Sequence, residues 1–160
     1  MHRLSGNPLC FIVFLFVFMS CTSQITVDEN TSRLSEEELL TRVQEKTFQS
    51  FWEGAESNSG LARERIHLDE PDVDEHVVTT GGSGFGLMAL IVGIEREFIS
   101  REQGVSRLSQ IINFLDSADR FHGVWPHWLD GRTGKVIPFS PMDDGGDLVE
   151  SSFLASGLIT

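Results

Sequence analysis

Four carboxylates lie within eight residues towards the end of the sequence, at Asp143, Asp144, Asp147 and Glu150. Asp147 and Glu150 are three residues apart, a spacing that places both side chains on one face of a helix. Carboxylates that crowd together repel one another, so the pKa of at least one should rise and make it a proton donor near neutral pH. Hydrolysis of a glycosidic bond requires one carboxylic acid and one carboxylate. The run is therefore a candidate catalytic centre for that reaction.

A helix cap and a calcium site are the competing interpretations of the same acids. Asp143 or Asp144 could cap the following helix, because free N–H groups at a helix start favour a carboxylate. A cap does not explain Glu150, which lies a full turn inside an apolar helix. The order of ligands of an EF-hand loop is absent.

Two indoles and two imidazoles alternate in the segment 120–128, at His122, Trp125, His127 and Trp128. The apolar C–H faces of sugar rings stack on aromatic side chains, and their hydroxyls form hydrogen bonds with histidine and arginine. This composition predicts a sugar-binding surface, although one tryptophan could instead belong to the core. The two histidines lack the pattern of a zinc site, so no metal and no cofactor are predicted.

Two arginines and a glycine-rich run complete the candidate site. Arg63 and Arg65 could bridge to the acids, or could belong to a solvated charged turn. The run at 81–86 (GGSGFG) has Leu87 where a dinucleotide loop has its third glycine, and it lacks the lysine of a P-loop. Its glycines are expected to let backbones pack closely beside the cleft.

The elements that must hold these residues are predicted to be helices. Ser35 with Glu38, and Ser100 with Gln103, form capping boxes that begin two helices, which should end near Gly54 and Ala118. Each has one apolar stripe, formed in the first helix by Leu40, Val43, Thr47, Phe48 and Phe51 and in the other by Val105, Leu108, Ile111, Ile112 and Leu115.

Two further helices, beginning near Gly81 and Leu148, are apolar on nearly every side and should lie inside. Long loops are expected at 57–80 and 120–146. The alternation of outer and inner helices is what an α/α toroid requires, so the predicted class is all-α. Four helices cannot close a toroid, and the pattern stops at Thr160 without a stop signal. We therefore expect an incomplete domain that exposes Phe153, Leu154 and Leu158 unless it is continued or paired.

The N-terminus resembles a signal for export. The apolar run at 9–19 is too short to span a bilayer and follows Arg3, which is typical of a signal peptide over 1–20. Ser20 and Cys21 resemble a lipobox, with Phe18 where leucine is usual, so we predict lipidation of Cys21 and a tether over 21–34. An ordinary cleavage site is the alternative. The predicted location is an exported lipoprotein anchored to a membrane, in the periplasm or at the cell surface.

Composition excludes several classes of protein. Cys10 and Cys21 are the two cysteines and both lie in or beside the leader, so the folded part can contain neither a disulfide nor a thiolate metal site. Removal of Arg3 with the leader leaves 11 basic and 24 acidic residues, a net charge of −13. Such an acidic chain is not expected to bind nucleic acid.

Several long strings resemble the glucoamylase-like family of bacterial proteins: TTGGSGFG, IVGIER, FISREQ, ADRFHGVWPHW and DDGGDLVESSFL. That family includes the endo-β-1,2-glucanases of glycoside hydrolase family 144 and a domain of cyclic β-1,2-glucan synthases. The resemblance runs from about Ser35 to Thr160.

The resemblance implies that residues 35–160 form the N-terminal part of an (α/α)6 toroid that hydrolyses β-1,2-glucan, with inversion and without a metal. It implies functional acids at Asp143, Asp147 and Glu150, and a sugar cleft lined by Trp125, His127 and Trp128. A further acid that the family carries farther along has no counterpart before Thr160. An exo-acting hydrolase of α-glucan, a lipoprotein that binds glycan without cleaving it, and an inactive gene fragment are the alternatives.

Overall fold

The computed structural model describes residues 34–160. The predicted signal peptide, the lipidation site Cys21 and all of the tether except Leu34 lie outside that range and stay predictions. The helices are α1 (Glu36–Trp52), α2 (Thr80–Glu95), α3 (Arg101–Ser117) and α4 (Leu148–Leu158), and the strands are β1 (Val77–Thr79), β2 (Trp128–Asp130) and β3 (Val136–Ile137). No helix within 34–160 is both long enough and apolar enough to cross a bilayer.

Residues 34–160 are mainly helical, as predicted, but they also contain a small sheet that the all-α prediction missed. The strands are antiparallel in the order β1-β2-β3, with Thr79 opposite Trp128 and Trp128 opposite Ile137. Val78 and Leu129 pair with each other and are completely buried. Because side chains alternate along a strand, Thr79 and Trp128 lie on the opposite face of the sheet from this core pair.

Both capping boxes are present. The Glu38 N–H donates to Ser35 Oγ at 3.2 Å, and the Ser35 N–H donates to Glu38 Oε2 at 2.8 Å. Ser100 and Gln103 repeat this arrangement at the start of α3. The predicted apolar stripe of α1 is covered only towards the helix C-terminus: Phe48 is buried, whereas Leu40, Val43 and Thr47 are exposed.

The two apolar helices α2 and α4 pack with their backbones in contact. A Cβ atom on Gly84 would overlap the carbonyl oxygen of Phe153, and one on Gly157 would overlap the carbonyl oxygen of Gly84. The rings of Phe85 and Phe153 lie 5.4 Å apart beside this contact. The glycine-rich run therefore allows close helix packing, as predicted.

Within residues 34–160, α2 is not covered on every side, in contrast to the expectation that this apolar helix lies inside. Phe85 is 50% exposed, and Ile91 and Val92 are also exposed. In α4, Phe153 and Leu158 are exposed as expected, but Leu154 is completely buried. The position of Leu154 in the tight α2–α4 contact explains its burial.

Glu56, a residue that the sequence analysis did not single out, orders the predicted loop after α1. Its side chain is 1% exposed. Its carboxylate accepts hydrogen bonds from the N–H and hydroxyl of Ser59, both at 2.7 Å, from the N–H of Asn58 at 3.2 Å, and pairs with His76 Nδ1 at 3.0 Å. His76 immediately precedes β1, so Glu56 ties the loop to the sheet.

Burial of Glu56 acts to raise its pKa, but the hydrogen bonds from Ser59, His76 and Asn58 outweigh burial and hold the pKa below its ordinary value. In the pH range where carboxylates titrate, the unfolded state therefore binds more protons at this residue than the native state does. The stabilisation from Glu56 is complete above that range and is lost as the pH falls through the native pKa.

We expect Glu56→Gln to lower the free energy of unfolding by about 1–3 kcal/mol near neutral pH. The reason is that the neutral glutamine amide accepts hydrogen bonds more weakly than the buried, ionised carboxylate. Urea unfolding from about pH 7 to about pH 3 should show the deficit shrinking as the pH falls. Glu53→Gln, at an exposed position three residues earlier, is the matched control. A deficit that stayed constant with pH would contradict the role of the ionised carboxylate.

Candidate active site

Asp147 caps α4 and binds a histidine at the same time. Its Oδ1 accepts hydrogen bonds from the N–H groups of Val149 at 2.9 Å and Glu150 at 3.0 Å. Its Oδ2 lies 3.0 Å from His127 Nδ1, and the two side chains are 21% and 26% exposed. Asp147, and not Asp143 or Asp144, is therefore the helix cap.

The position of Asp147 changes two expectations. It precedes the helix, so it does not share a helix face with Glu150 and is linked to it through the Glu150 backbone. Burial acts to raise the pKa of Asp147, but hydrogen bonds from Glu150, His127 and Val149 outweigh it and hold the pKa below its ordinary value. The raised pKa expected of a crowded acid is not found at this residue.

The Glu150 carboxylate is held by the start of α2. Its Oε2 accepts hydrogen bonds from the Gly81 N–H at 2.8 Å and from the Thr79 hydroxyl at 3.2 Å. A Cβ atom on Gly81 would lie 2.6 Å from this oxygen, so glycine is required for the approach. Glu150 Oε1 accepts no hydrogen bond from any residue in 34–160, which leaves it available to a ligand.

The start of α2 also contacts the segment that carries His127. The Thr80 hydroxyl donates to the Pro126 carbonyl at 2.6 Å, and the Thr80 N–H donates to the His127 carbonyl at 3.1 Å. Consecutive residues of α2 therefore bind Glu150 and the backbone around His127. Two predicted site residues that are 23 positions apart are brought to one helix end.

Three aromatic rings lie together beside the acids. Phe139 lies 4.3 Å from the ring of His127 and 4.9 Å from the ring of Trp128, and His127 and Trp128 are 5.6 Å apart. Phe139 is 50% exposed. The sequence analysis missed Phe139. Its place between two prolines, in the loop that leads to the acids, could have identified it as a candidate site residue.

Trp125 takes the structural role left open for one tryptophan. Its backbone N–H donates to Ser151 Oγ at 2.9 Å, and its carbonyl accepts from the Asp147 N–H at 2.8 Å. Its ring packs against the buried core, and the Arg120 guanidinium lies 5.5 Å from the ring centre. Trp125 therefore fastens the segment before β2 to α4, and a role in sugar binding stays a prediction.

The His122 side chain forms no hydrogen bond with another candidate site residue within residues 34–160. It occupies a two-residue turn with Gly123, between Phe121 and Val124, which exchange both backbone hydrogen bonds. Its φ of 52° and that of Gly123, 89°, are both positive, as this type of tight hairpin requires. The side chain is exposed, with its ring centre 4.4 Å from that of Phe121.

Arg63 and Arg65 do not bridge to the acidic run, so the first of the two alternatives left open for them is wrong. Arg65 pairs with its neighbour Glu64, and Arg63 Nη2 donates to the Pro71 carbonyl at 2.9 Å. The backbone of Arg63 pairs with Val78 at the outer edge of β1. Direct binding of substrate by either arginine stays a prediction.

Asp143 shapes the loop that carries Phe139. Its N–H donates to the Ser140 carbonyl and its carbonyl accepts from the Phe139 N–H, both at 3.0 Å. Within residues 34–160 its carboxylate accepts no hydrogen bond, and the residue is partly buried. Over the same range no group of three or more histidine, cysteine, aspartate or glutamate residues is placed to hold a metal ion.

Known proteins are similar to this chain over part of their length. No family model matches the chain. The exo β-1,2-glucooligosaccharide sophorohydrolase (non-reducing end) of Parabacteroides distasonis is 53% identical over 136 residues, which make up 84% of this chain and 18% of that protein. The solved endo-β-1,2-glucanase of Chitinophaga pinensis, in complex with sophorotriose and glucose, is 62% identical with a TM-score of 0.76. The match covers 79% of this chain and 31% of that one.

A solved β-1,2-glucanase from Parabacteroides distasonis is 54% identical with a TM-score of 0.74, over 79% of this chain and 18% of its own. This chain is homologous to part of the β-1,2-glucanases of the glucoamylase-like family. The resemblance seen in the sequence strings is thereby confirmed. The chain spans less than a third of the length of each of these relatives.

Within the part shared with the glucoamylase-like family, the acids differ in what they can do. Asp147 already accepts three hydrogen bonds and its pKa is lowered, which suits an anion with a structural partner. Glu150 has one oxygen fixed and one open. The fixed oxygen lies at the positive end of the α2 dipole, where the Gly81 N–H binds it.

Proposed function

We propose that residues 34–160 form the first part of an (α/α)6 toroid and supply acids and sugar contacts for the hydrolysis of β-1,2-glucan. The observation that supports this most directly is the placement of Glu150. One oxygen is fixed by Gly81 and Thr79, and the other is open. The carboxylate belongs to the same cluster of contacts as His127 and Asp147.

Glu150 is the proposed general base. A fixed anion with one open oxygen can accept a proton from a water molecule that attacks the anomeric carbon, as an inverting hydrolase requires. The same carboxylate could act as a nucleophile in a retaining enzyme, and the stereochemistry of the product separates the two. Asp143 is the remaining candidate within this chain for the proton donor.

The rings of His127, Trp128 and Phe139 are the proposed sugar-contact surface. Their centres lie within 5.6 Å of one another, and the Phe139 ring is half exposed. Stacking of glucose C–H faces on such rings contributes binding energy without depending on charge. The polar atoms of His127 and Glu150 are available to orient the hydroxyls.

The substrate class comes from the relatives, whose names agree on β-1,2-linked glucose but not on the mode of attack. The sophorohydrolase is named as exo-acting at the non-reducing end, whereas the Chitinophaga enzyme is named as endo-acting. We therefore propose β-1,2-glucan as the substrate, and the products of cleavage will distinguish exo from endo attack.

The test is to incubate the gene product with linear β-1,2-glucan and, separately, with starch. We expect new reducing ends from β-1,2-glucan and none from starch. Release of sophorose alone would indicate exo attack, and a mixture of oligosaccharides endo attack. Cleavage of starch, or binding of β-1,2-glucan with no new reducing ends, would overturn the proposal.

A further inference from the structure

The Asp147–His127 pair carries an inference about how the site recognises sugar. We propose that Asp147 is a positioning residue that holds neutral His127 as the Nδ1–H tautomer, so that the His127 Nε2 lone pair accepts a hydrogen bond from a glucose hydroxyl. The part that concerns glucose rests on the proposed function. The part that concerns the tautomer rests on the contacts of this chain alone.

Asp147 can act on His127 only as an acceptor. Its Oδ1 is occupied by the N–H groups of Val149 and Glu150, which fixes the direction of the carboxylate. Its Oδ2 then faces His127 Nδ1 at 3.0 Å. An ionised carboxylate has no proton to donate, so the proton between the two groups must be carried by Nδ1. In neutral imidazole this leaves Nε2 as an acceptor.

The backbone around the pair prevents the ring from drifting. The Asp147 N–H donates to the Trp125 carbonyl at 2.8 Å, and the backbone N–H of Trp125 donates to Ser151 Oγ at 2.9 Å. These bonds fasten the residue two positions before His127 to the first turn of α4. The His127 carbonyl is bound from the other side by the Thr80 N–H.

The open nitrogen of His127 lies where a sugar could reach it. Within residues 34–160, His127 Nε2 has no hydrogen-bond partner. This atom is not buried, so a ligand can reach it. The side chain is 26% exposed. The rings of Phe139 and Trp128 lie 4.3 and 5.6 Å from the His127 ring and 4.9 Å from each other, so a sugar whose hydroxyl donates to Nε2 would lie beside aromatic surface.

This arrangement would make His127 a determinant of specificity. A site that is built to pair with a hydroxyl discriminates strongly against ligands that leave its polar group unpaired. Asp147 would contribute through His127 and not by contact with the reacting atoms. Its three hydrogen bonds and lowered pKa fit that role and argue against Asp147 as the proton donor.

The test is Asp147→Asn. The asparagine oxygen can still accept from the N–H groups of Val149 and Glu150, so the cap should survive. The amide NH2 would now face His127 Nδ1 and donate to it, which forces the proton onto Nε2. Two-bond nitrogen–proton correlation spectra of the imidazoles at about pH 8 distinguish the tautomers of neutral histidine. We expect Nδ1–H in the wild type and Nε2–H in the variant.

Binding of sophorotriose, followed by calorimetry, is the second readout. We expect the variant to bind it about 10-fold more weakly or worse, because a donor replaces the acceptor. Unchanged amide signals of α4 beyond its first turn, and unchanged imidazole signals of His76, which pairs with Glu56 and Glu75, would show that the fold is intact.

The possible outcomes separate this inference from the proposed function. A wild-type Nε2–H tautomer, or a tautomer that does not respond to Asp147→Asn, overturns the positioning role. A switched tautomer with undiminished sophorotriose binding overturns the hydroxyl-acceptor role. If the wild type shows the switchable tautomer but binds no sophorotriose, the proposed substrate fails while the positioning by Asp147 stands.

Discussion

Replacement of Glu150 by glutamine is expected to lower kcat/KM on linear β-1,2-glucan by about 10²–10⁴-fold, the usual contribution of a general acid or base. Glutamine keeps an oxygen that can accept from the Gly81 N–H and the Thr79 hydroxyl, so the side chain should stay in place. What it loses is the negative charge and the ability to take a proton. The loss should therefore appear in kcat far more than in KM.

Asp144→Asn is the matched control, because Asp144 belongs to the same acidic run but is exposed and is not part of the proposed site. Its rate should stay within about twofold of the wild type, as for most surface substitutions. Thermal unfolding of both variants would show whether the fold is retained. If Glu150→Gln stayed folded and kept most of its rate, Glu150 would not be the base, and Asp143 would become the first residue to test.

The parts of the fold that the sequence predicted are those fixed by residues close together in the chain. The capping boxes at Ser35–Glu38 and Ser100–Gln103 involve neighbours three positions apart, and both are present. The apolar runs that predicted α2 and α4 are similarly local. These features can be found in a single sequence because their physical cause lies within one helical turn.

The sheet could not be predicted in the same way. Its strands have two or three residues, too few to show an alternating pattern. Thr79 pairs with Trp128 across 49 positions of sequence, and β1 lies at the end of an acidic segment that reads as a loop. Only the completed fold supplies the partner strand that makes these residues extended.

For the candidate site as well, the sequence predicted some features, whereas others depend on the completed fold. The sequence identified His127, Asp147 and Glu150 by residue type and family resemblance, and the structure joins them through hydrogen bonds. The sequence analysis considered a cap only at Asp143 or Asp144, whereas Asp147 is the cap, because the choice among the three depends on where α4 begins. It missed Glu56, since the burial of that carboxylate requires Ser59 and His76 to fold around it.

Addition of a methyl group at the α2–α4 contact is expected to cause the largest loss of stability in this chain. In an open helix interior, Gly→Ala stabilises by about 1 kcal/mol. At Gly84 and Gly157 the new Cβ would overlap a backbone carbonyl of the facing helix, and a backbone cannot rotate away as a side chain can. We expect Gly84→Ala and Gly157→Ala each to lower the free energy of unfolding by about 3 kcal/mol, measured by urea titration.

Gly86→Ala is the control on the same helix, because the nearest atoms to its Cβ belong to the Phe51 side chain, at 3.2 Å, and not to a backbone. Its effect should stay within about 1 kcal/mol, since the ring can shift slightly. The double variant tests the contact itself. The Cβ of residue 157 meets the backbone of residue 84, so one methyl group should already separate the helices. The second substitution should then cost less. We expect the loss in the double variant to be smaller than the sum of the two single losses by about 0.5–3 kcal/mol. Additive losses, or a stabilising Gly84→Ala, would mean that the two helices do not touch at these glycines.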